Sequence, residues 1–367
     1  KKNLNMGLSE WIKLLKPLTE DQKFSLDYLR DEDEYSEVKK LLKLDRVRFD
    51  IARAGFSFFV DNEYLQLASD DKILGEFIDG INLKLKRKVG LNWFERFKDT
   101  AFETITRMIA RNVIGLEGVK KAICLQMFSR ENLHILLFND EGLDSHYFFQ
   151  SAEMFANKVN CCIGLEVEDG SMLAATDLGI IAIDELNSMK KDYRTFLINA
   201  MENGVVVDEH GVKTARIRAL AAARPIGGKF SRIYASMKRQ APIDNYFMNR
   251  FNLVFYNRWN DAATKGGGRA VKGVENIKKE DIDFVKSYVE HALGINVHMS
   301  MDFEDGIKTY VHMLKAKIVR SVRDIDNRMI GTIEKLAKAS ARCELRSEVE
   351  RKDIERAKEI LEASLSA

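Results

Sequence analysis

Gly179-Ile180-Ile181-Ala182-Ile183-Asp184-Glu185 decides how the rest of the chain is read. It is an apolar run that ends on two carboxylates. A buried strand of this kind presents its acids at the carboxyl edge of a sheet, where open α/β folds bind their ligands. Taken alone, the same pattern also describes a strand entering a polar loop, so the neighbouring sequence has to decide. Outward from it, short apolar runs at 133–138, 159–163, 217–223 and 251–256 alternate with helical stretches. That alternation predicts a three-layer α/β domain, a parallel sheet with helices on both faces, over 112–260.

The 367 residues suffice for two or three domains. Residues 5–89 read as a mainly helical domain, with Trp11, Leu14, Leu15 and Leu18, and later Phe77, Ile78, Ile81 and Leu85, at helical spacing. Phe56-Ser57-Phe58-Phe59-Val60 is too short an apolar run for a helix. A linking amphipathic helix is expected within 90–111, carrying Trp93, Phe94, Phe97, Phe102 and Ile105. A connector at 261–274 holds Gly266-Gly267-Gly268, and a helical lid occupies 275–367.

Net charge is +2, so global charge gives no argument for nucleic acid. The most basic run, Lys84-Leu85-Lys86-Arg87-Lys88, reads as a solvated helix end in preference to a DNA contact. Cys124, Cys161, Cys162 and Cys343 form no Cys-x-x-Cys pair, which excludes a zinc ribbon. Free, buried thiols in a reducing cytoplasm are the expectation, with Cys161 and Cys162 on opposite faces of a strand. His134, His146, His210, His291, His298 and His312 show no metal spacing, so no metal site is assigned. No apolar run is long enough to span a bilayer, and no signal-type segment is read at the start.

Several motifs follow one another in fixed order. Ile114-Gly115-Leu116-Glu117-Gly118-Val119-Lys120-Lys121-Ala122-Ile123 lies upstream. Asp184-Glu185-Leu186-Asn187-Ser188-Met189 is followed by Ala200-Met201-Glu202 and by Val205-Val206-Val207 with a turn at 208–211. Then come Ala221-Ala222-Ala223-Arg224-Pro225-Ile226-Gly227-Gly228, Asn249-Arg250-Phe251-Asn252-Leu253-Val254-Phe255 and Ser321-Val322-Arg323-Asp324-Ile325-Asp326. Together they resemble the AAA+ module of minichromosome maintenance (MCM) replicative helicases over about two thirds of the chain. The resemblance implies a P-loop-type sheet, an α-helical lid and a DNA-facing hairpin. It implies that Asp184 helps to hold Mg²⁺, that Glu185 polarises the attacking water, that Arg250 is the finger reaching a neighbour's nucleotide, and that Arg323 is the lid's sensor. Residues 58–65 and the helix around 73–85 resemble the end of the family's helical A subdomain. The OB barrel and zinc ribbon that should follow are not found before the linker.

The departures concentrate at the phosphate loop. The family's Gly-Asp-Pro-Gly-x-x-Lys-Ser is here Asn139-Asp140-Glu141-Gly142-Leu143-Asp144-Ser145-His146. Asp140 and Gly142 are kept. Ser145 stands at the lysine position and His146 at that of the Mg²⁺-binding hydroxyl. Such a loop works by aiming backbone N–H groups and an ammonium at phosphates. Losing the ammonium removes a charge-assisted contact worth roughly 1.5–3 kcal/mol, and Asp140, Glu141 and Asp144 repel phosphate. Arg224 replaces the asparagine that positions water. Only 164–170 separates the second strand from 171–175, so the family's helix-2 insert is expected to be lost. The hairpin tip carries Glu209 and His210. His210 and Lys213 are the DNA-contact candidates, although an acidic tip disfavours a phosphate backbone.

The expectation is a degenerate relative that binds ATP and Mg²⁺ weakly or not at all. It would act as a binding or regulatory module beside an MCM subunit or another replication factor. The rival is an active ATP-driven DNA helicase or translocase assembled as a ring, resting on Asp184, Glu185, Arg250 and Arg323. Plain DNA binding through 84–88 and the lid lysines is the third reading.

Overall fold

The structure is a computed structural model. It describes residues 6–7, 47–52, 55–60, 93–167, 170–208, 211–230, 239–258, 277–317 and 325–365. The chain divides into two units, Lys1–Phe97 and Lys98–Ala367. The described elements wholly within the first unit are β1 (Met6–Gly7), β2 (Val47–Ala52) and β3 (Gly55–Val60), an antiparallel sheet of order β1-β3-β2. The short apolar run at 56–60 is thus a strand. The helices expected around 11–18 and 77–85, and the basic run 84–88, lie outside the described residues.

A helix over 93–108, α1, follows the linker expectation. Phe102 and Ile105 are buried, as is Ile109 just beyond it, whereas Trp93 is half exposed. Then come α2 (Glu117–Phe128), β4 (Ile135–Asn139), α3 (His146–Phe155), β5 (Val159–Ile163), α4 (Ser171–Ala175), β6 (Ile180–Asp184), α5 (Lys191–Asn203), the hairpin β7 (Val205–Asp208) and β8 (Gly211–Thr214), β9 (Arg218–Ala223), α6 (Asn245–Met248) and β10 (Leu253–Asn257). The sheet runs β10-β4-β9-β6-β5 with every pair parallel. β4, β9 and β10 are buried along their whole length. That is why their sequences are continuous apolar runs rather than alternating ones. β5 is an edge strand, so Cys162 is buried but Cys161 is exposed, which corrects the expectation that all four thiols are buried. Between β5 and α4 the described residues hold a 3-10 turn, Gly164–Glu166.

The expected strand at 133–138 begins two residues late because Leu133 and His134 serve the approach to β4. The His134 carbonyl accepts the Asn252 and Leu253 amides at 2.9 and 3.1 Å, which fixes the start of β10. The His134 ring is buried. Its Nδ1 accepts the Ala219 amide at 3.0 Å, so Nε2 carries the proton and donates to the Met201 carbonyl at 3.2 Å. Burial, helped by Lys335, pushes its pKa down to about 3. The unfolded imidazole takes up a proton near its ordinary value while the folded one does not. The resulting stability is therefore full above about pH 6.5 and is lost as pH falls towards 3. Urea unfolding at pH 7.5 and pH 5 should show the parent losing about 2 kcal/mol more than His134→Gln; equal losses would refute the assignment.

The lid comprises α7 (Lys279–Leu293), α8 (Met301–Lys317), α9 (Arg328–Cys343) and α10 (Arg351–Leu365). Its α9–α10 turn closes on the fully buried Asp353. That carboxylate accepts from Ser340 Oγ at 2.6 Å, from both Arg346 terminal nitrogens at 2.7 Å and from the Glu350 amide at 2.8 Å. At the opposite edge of the sheet from the carboxyl ends, Arg218 is buried at the start of β9. It donates to the Gln126, Met127 and Ser129 carbonyls at 3.1, 3.1 and 2.8 Å, and to Leu178 at 3.0 Å and Gly179 at 3.5 Å. It thereby caps the carboxyl end of α2, where the helix dipole favours a cation. The connector at 261–274 lies outside the described residues.

Candidate functional site

Parallel pairing brings the carboxyl ends of β4, β9 and β6 side by side, with Phe138 opposite Ala223 and Ile183 opposite Ala221. Asp184 is the last residue of β6. Glu185 follows in the left-handed region at φ +46°, a conformation that costs a non-glycine residue about 1–2 kcal/mol. Its carbonyl is held by the Ser188 amide and hydroxyl, both at 2.7 Å. Gly164 passes so close to that carbonyl that an added Cβ would lie 2.6 Å from it. Backbone packing therefore fixes the acid pair at the sheet edge.

The phosphate-loop positions then arrange themselves around Asp184. The Ser145 hydroxyl donates to Asp184 Oδ1 at 3.0 Å, and the Glu185 amide donates to the same oxygen at 2.9 Å. Asn139 and Asp140 are buried and structural. Asn139 Oδ1 accepts from the Asn257 amide group at 2.8 Å, and Asp140 Oδ1 accepts the Phe230 amide at 2.8 Å. The Glu141 amide donates to the Gly228 carbonyl at 2.7 Å, and the Leu143 amide to the Asp140 carbonyl at 3.0 Å. Gly142 takes φ +96°, which the turn requires of a residue without a Cβ. Asp144 Oδ1 accepts the His146 amide at 2.9 Å, the first N–H of α3. A helix amino terminus is where an anion would bind, and here the chain's own carboxylate sits on it.

Arg224, just past β9, is exposed and lies 3.8 Å from Glu185 Oε1. Its screened pairing is weak. Arg250 is placed otherwise. α6 is capped by Asp244 on the Phe247 amide at 2.8 Å, and the turn after it leads to Arg250. The guanidinium pairs with Glu202 at 2.9 Å, lies 4.3 Å from the centroid of the Tyr246 ring, and its side chain is 15 % exposed. It is engaged within the chain. Lys213 is the cross-strand partner of the buried Val206, so it shares the inward face of the hairpin; the outward pair is Val207 and Val212, 51 % and 69 % exposed. Arg323 and His210 lie outside the described residues, as does Glu209. Ser145, Asp184, Glu185 and Arg224 are thus linked in one constellation, His146 is tied through its amide to the adjacent Asp144, and Arg250 pairs elsewhere, with Glu202.

Sequence reasoning missed a cavity of about 230 Å³ beside the loop, lined by Val113, Leu116, Gly142, Leu143, Asp144, Tyr147 and Phe148. The buried Lys120 shapes one wall by donating to the Val113 carbonyl at 2.7 Å. The aromatic run Tyr147-Phe148-Phe149 directly after the loop was the available signal. Among the described residues, no group of His, Cys, Asp and Glu is arranged to hold a metal ion. No described helix is long and apolar enough to cross a membrane.

Two family descriptions match the chain: the MCM P-loop domain over residues 156–265 and the MCM AAA-lid domain over 283–365, together more than half of it. The first match begins downstream of the altered loop at 139–146. The zygotic DNA replication licensing factor mcm6 of Xenopus tropicalis is 23% identical over 321 residues, covering 74% of this chain and 39% of that protein. An uncharacterized MCM-type protein of Methanocaldococcus jannaschii is 24% identical over 358 residues, covering 82% and 46%. The chain thus spans less than half the length of these relatives. The crystal structure of a full-length MCM homolog from Methanopyrus kandleri superposes with a TM-score of 0.62 at 21% identity, over 76% of this chain and 61% of that one, a likeness of fold.

Proposed function

The chain belongs to the MCM family, and from that premise we propose that its AAA+ module is a non-catalytic binding or regulatory module. The reading rests above all on the Ser145–Asp184 hydrogen bond. The position that should carry a phosphate-binding ammonium instead carries a hydroxyl, and it donates to the acid that should face Mg²⁺. Asp144 adds a carboxylate at the amino terminus of α3, where a phosphate oxygen would need the same N–H. These residues do not fit a magnesium-bound nucleoside triphosphate, and no hydrolytic step is derived through one. Arg250 supports the same reading, since its guanidinium is committed to Glu202 and Tyr246. The partner is a protein: an MCM subunit or another replication factor, docking on a fold that keeps the five-stranded sheet and the described lid helices. A DNA role for the hairpin is disfavoured because its outward face is the valine pair rather than Lys213.

An active helicase remains the rival, and its specific support is the retained position of Asp184 and Glu185 at the sheet edge. Phosphate release at millimolar ATP separates the two. The expected result is a rate equal to background, unchanged in Glu185→Gln. A steady rate abolished by Glu185→Gln would establish the rival.

A further inference from the structure

The cavity beside the phosphate loop plays no part in the hydrogen bonds around Asp184. Its volume of about 230 Å³ falls below the roughly 300–1,000 Å³ of sites for drug-sized ligands, and it suits one large side chain. Its walls are preformed. The Lys120 ammonium holds the Val113 carbonyl at 2.7 Å. The Leu116 carbonyl accepts the Val119 and Lys120 amides at 3.0 and 3.1 Å, and Leu116 itself is kept in the left-handed region at φ +56°. The Leu143 amide is tied to the Asp140 carbonyl at 3.0 Å. Val113, Leu116, Leu143 and Phe148 make the lining largely apolar, and Tyr147 adds a polar-tipped aromatic ring. Among the described residues that line it, Asp144 alone is charged.

That charge is available. Asp144 is exposed, and its Oδ1 accepts the His146 amide. Among the described residues its Oδ2 has no hydrogen-bond or ion-pair partner. The nearby cation, Lys120, is buried and offset by Glu117 at 3.5 Å. We propose that the cavity receives an arginine side chain of the protein partner, a proposal that rests on the non-catalytic reading above. The methylene stem packs on Val113, Leu116, Leu143 and Phe148. The guanidinium stacks on the Tyr147 ring and donates to Asp144 Oδ2, planar contacts that a lysine ammonium makes less well. A carboxylate in an apolar, aromatic cavity selects a cation on an apolar stem and repels phosphate. Arginine is also enriched where interfaces anchor in pockets.

Saturation-transfer NMR on the full chain tests this, with N-acetyl-arginine amide as the probe. The expected result is transfer to the arginine methylene protons, with millimolar affinity. Asp144→Asn keeps an oxygen for the His146 amide and should weaken binding about 5-fold. Tyr147→Leu should weaken it comparably, whereas Asp302→Asn, at an exposed position of α8, should leave it unchanged. N-acetyl-norleucine amide keeps the apolar stem and should bind at least about 5-fold more weakly than arginine. An unchanged melting temperature shows that each variant is folded. No transfer to arginine, equal binding of norleucine, or a change under about twofold in Asp144→Asn would overturn the proposal. Any of these beside an absence of ATP binding leaves the non-catalytic reading standing. Micromolar ATP binding, read by calorimetry, overturns that reading and this proposal with it.

Discussion

Replacing Asp144 by Gly, Ser145 by Lys and His146 by Ser together should raise affinity for magnesium-bound ATP about 100-fold over the parent chain. The lysine restores a contact of roughly 1.5–3 kcal/mol, or about 10- to 150-fold. Removing Asp144 frees the His146-position amide at the amino terminus of α3 and takes away a like charge. Removing the Ser145 hydroxyl releases Asp184 Oδ1, which then keeps only the Glu185 amide. The backbone needed for this is in place. Gly142 already holds φ +96°, and Asn139 and Asp140 are anchored to Asn257 and Phe230 independently of the three substituted side chains. Equilibrium titration with a fluorescent ATP analogue measures the change. An unchanged affinity would locate the block in the backbone tie between Glu141 and Gly228 rather than in the side chains.

Arg218→Met should destabilise the second unit by about 3–5 kcal/mol and lower its melting temperature by roughly 10 °C. The guanidinium meets five carbonyls belonging to α2, the residue after it and the two residues just before β6. Methionine fills much of the volume but leaves those oxygens buried without donors, and a desolvated acceptor costs about 1–3 kcal/mol. The arginine itself is not comfortable. Burial first, then Arg342 nearby, bring its pKa down to about 10, and it remains charged at neutral pH. Arg342 donates to the Phe128 carbonyl at 2.8 Å and lies 3.6 Å from Glu131, which offsets the double cation. Urea unfolding measures the loss. A change under 1 kcal/mol would mean that water replaces the donors.

Most of the sheet was legible in the sequence because β4, β9 and β10 are buried along their whole length and β6 all but its last residue. The short run at 159–163 matches β5 without error, and the continuous apolar runs placed the other strands within two residues. The misplacements have a physical cause, as at His134, where apolar and aromatic residues serve the approach to a strand. The loop's chemistry was legible as loss: the absent lysine and hydroxyl could be read directly. What replaced them could not be read. Ser145 meets Asp184 39 positions away, and Arg218 finds its carbonyls between 39 and 92 positions away. Such partners follow from register and not from local pattern. Arg250 could be read as a finger from its motif, but Glu202 and the Tyr246 ring are neighbours only once α5 and α6 are folded. Cys161 escaped because nothing in its own run says that β5 lies at the sheet edge.

Calorimetric titration of the full chain with magnesium-bound ATP tests the central claim most directly. With Asp144 on the helix terminus and Ser145 on Asp184, no saturable heat is expected up to millimolar nucleotide, for the parent or for Glu185→Gln. Saturable binding at micromolar nucleotide would contradict the account and make Arg224 the first group to examine.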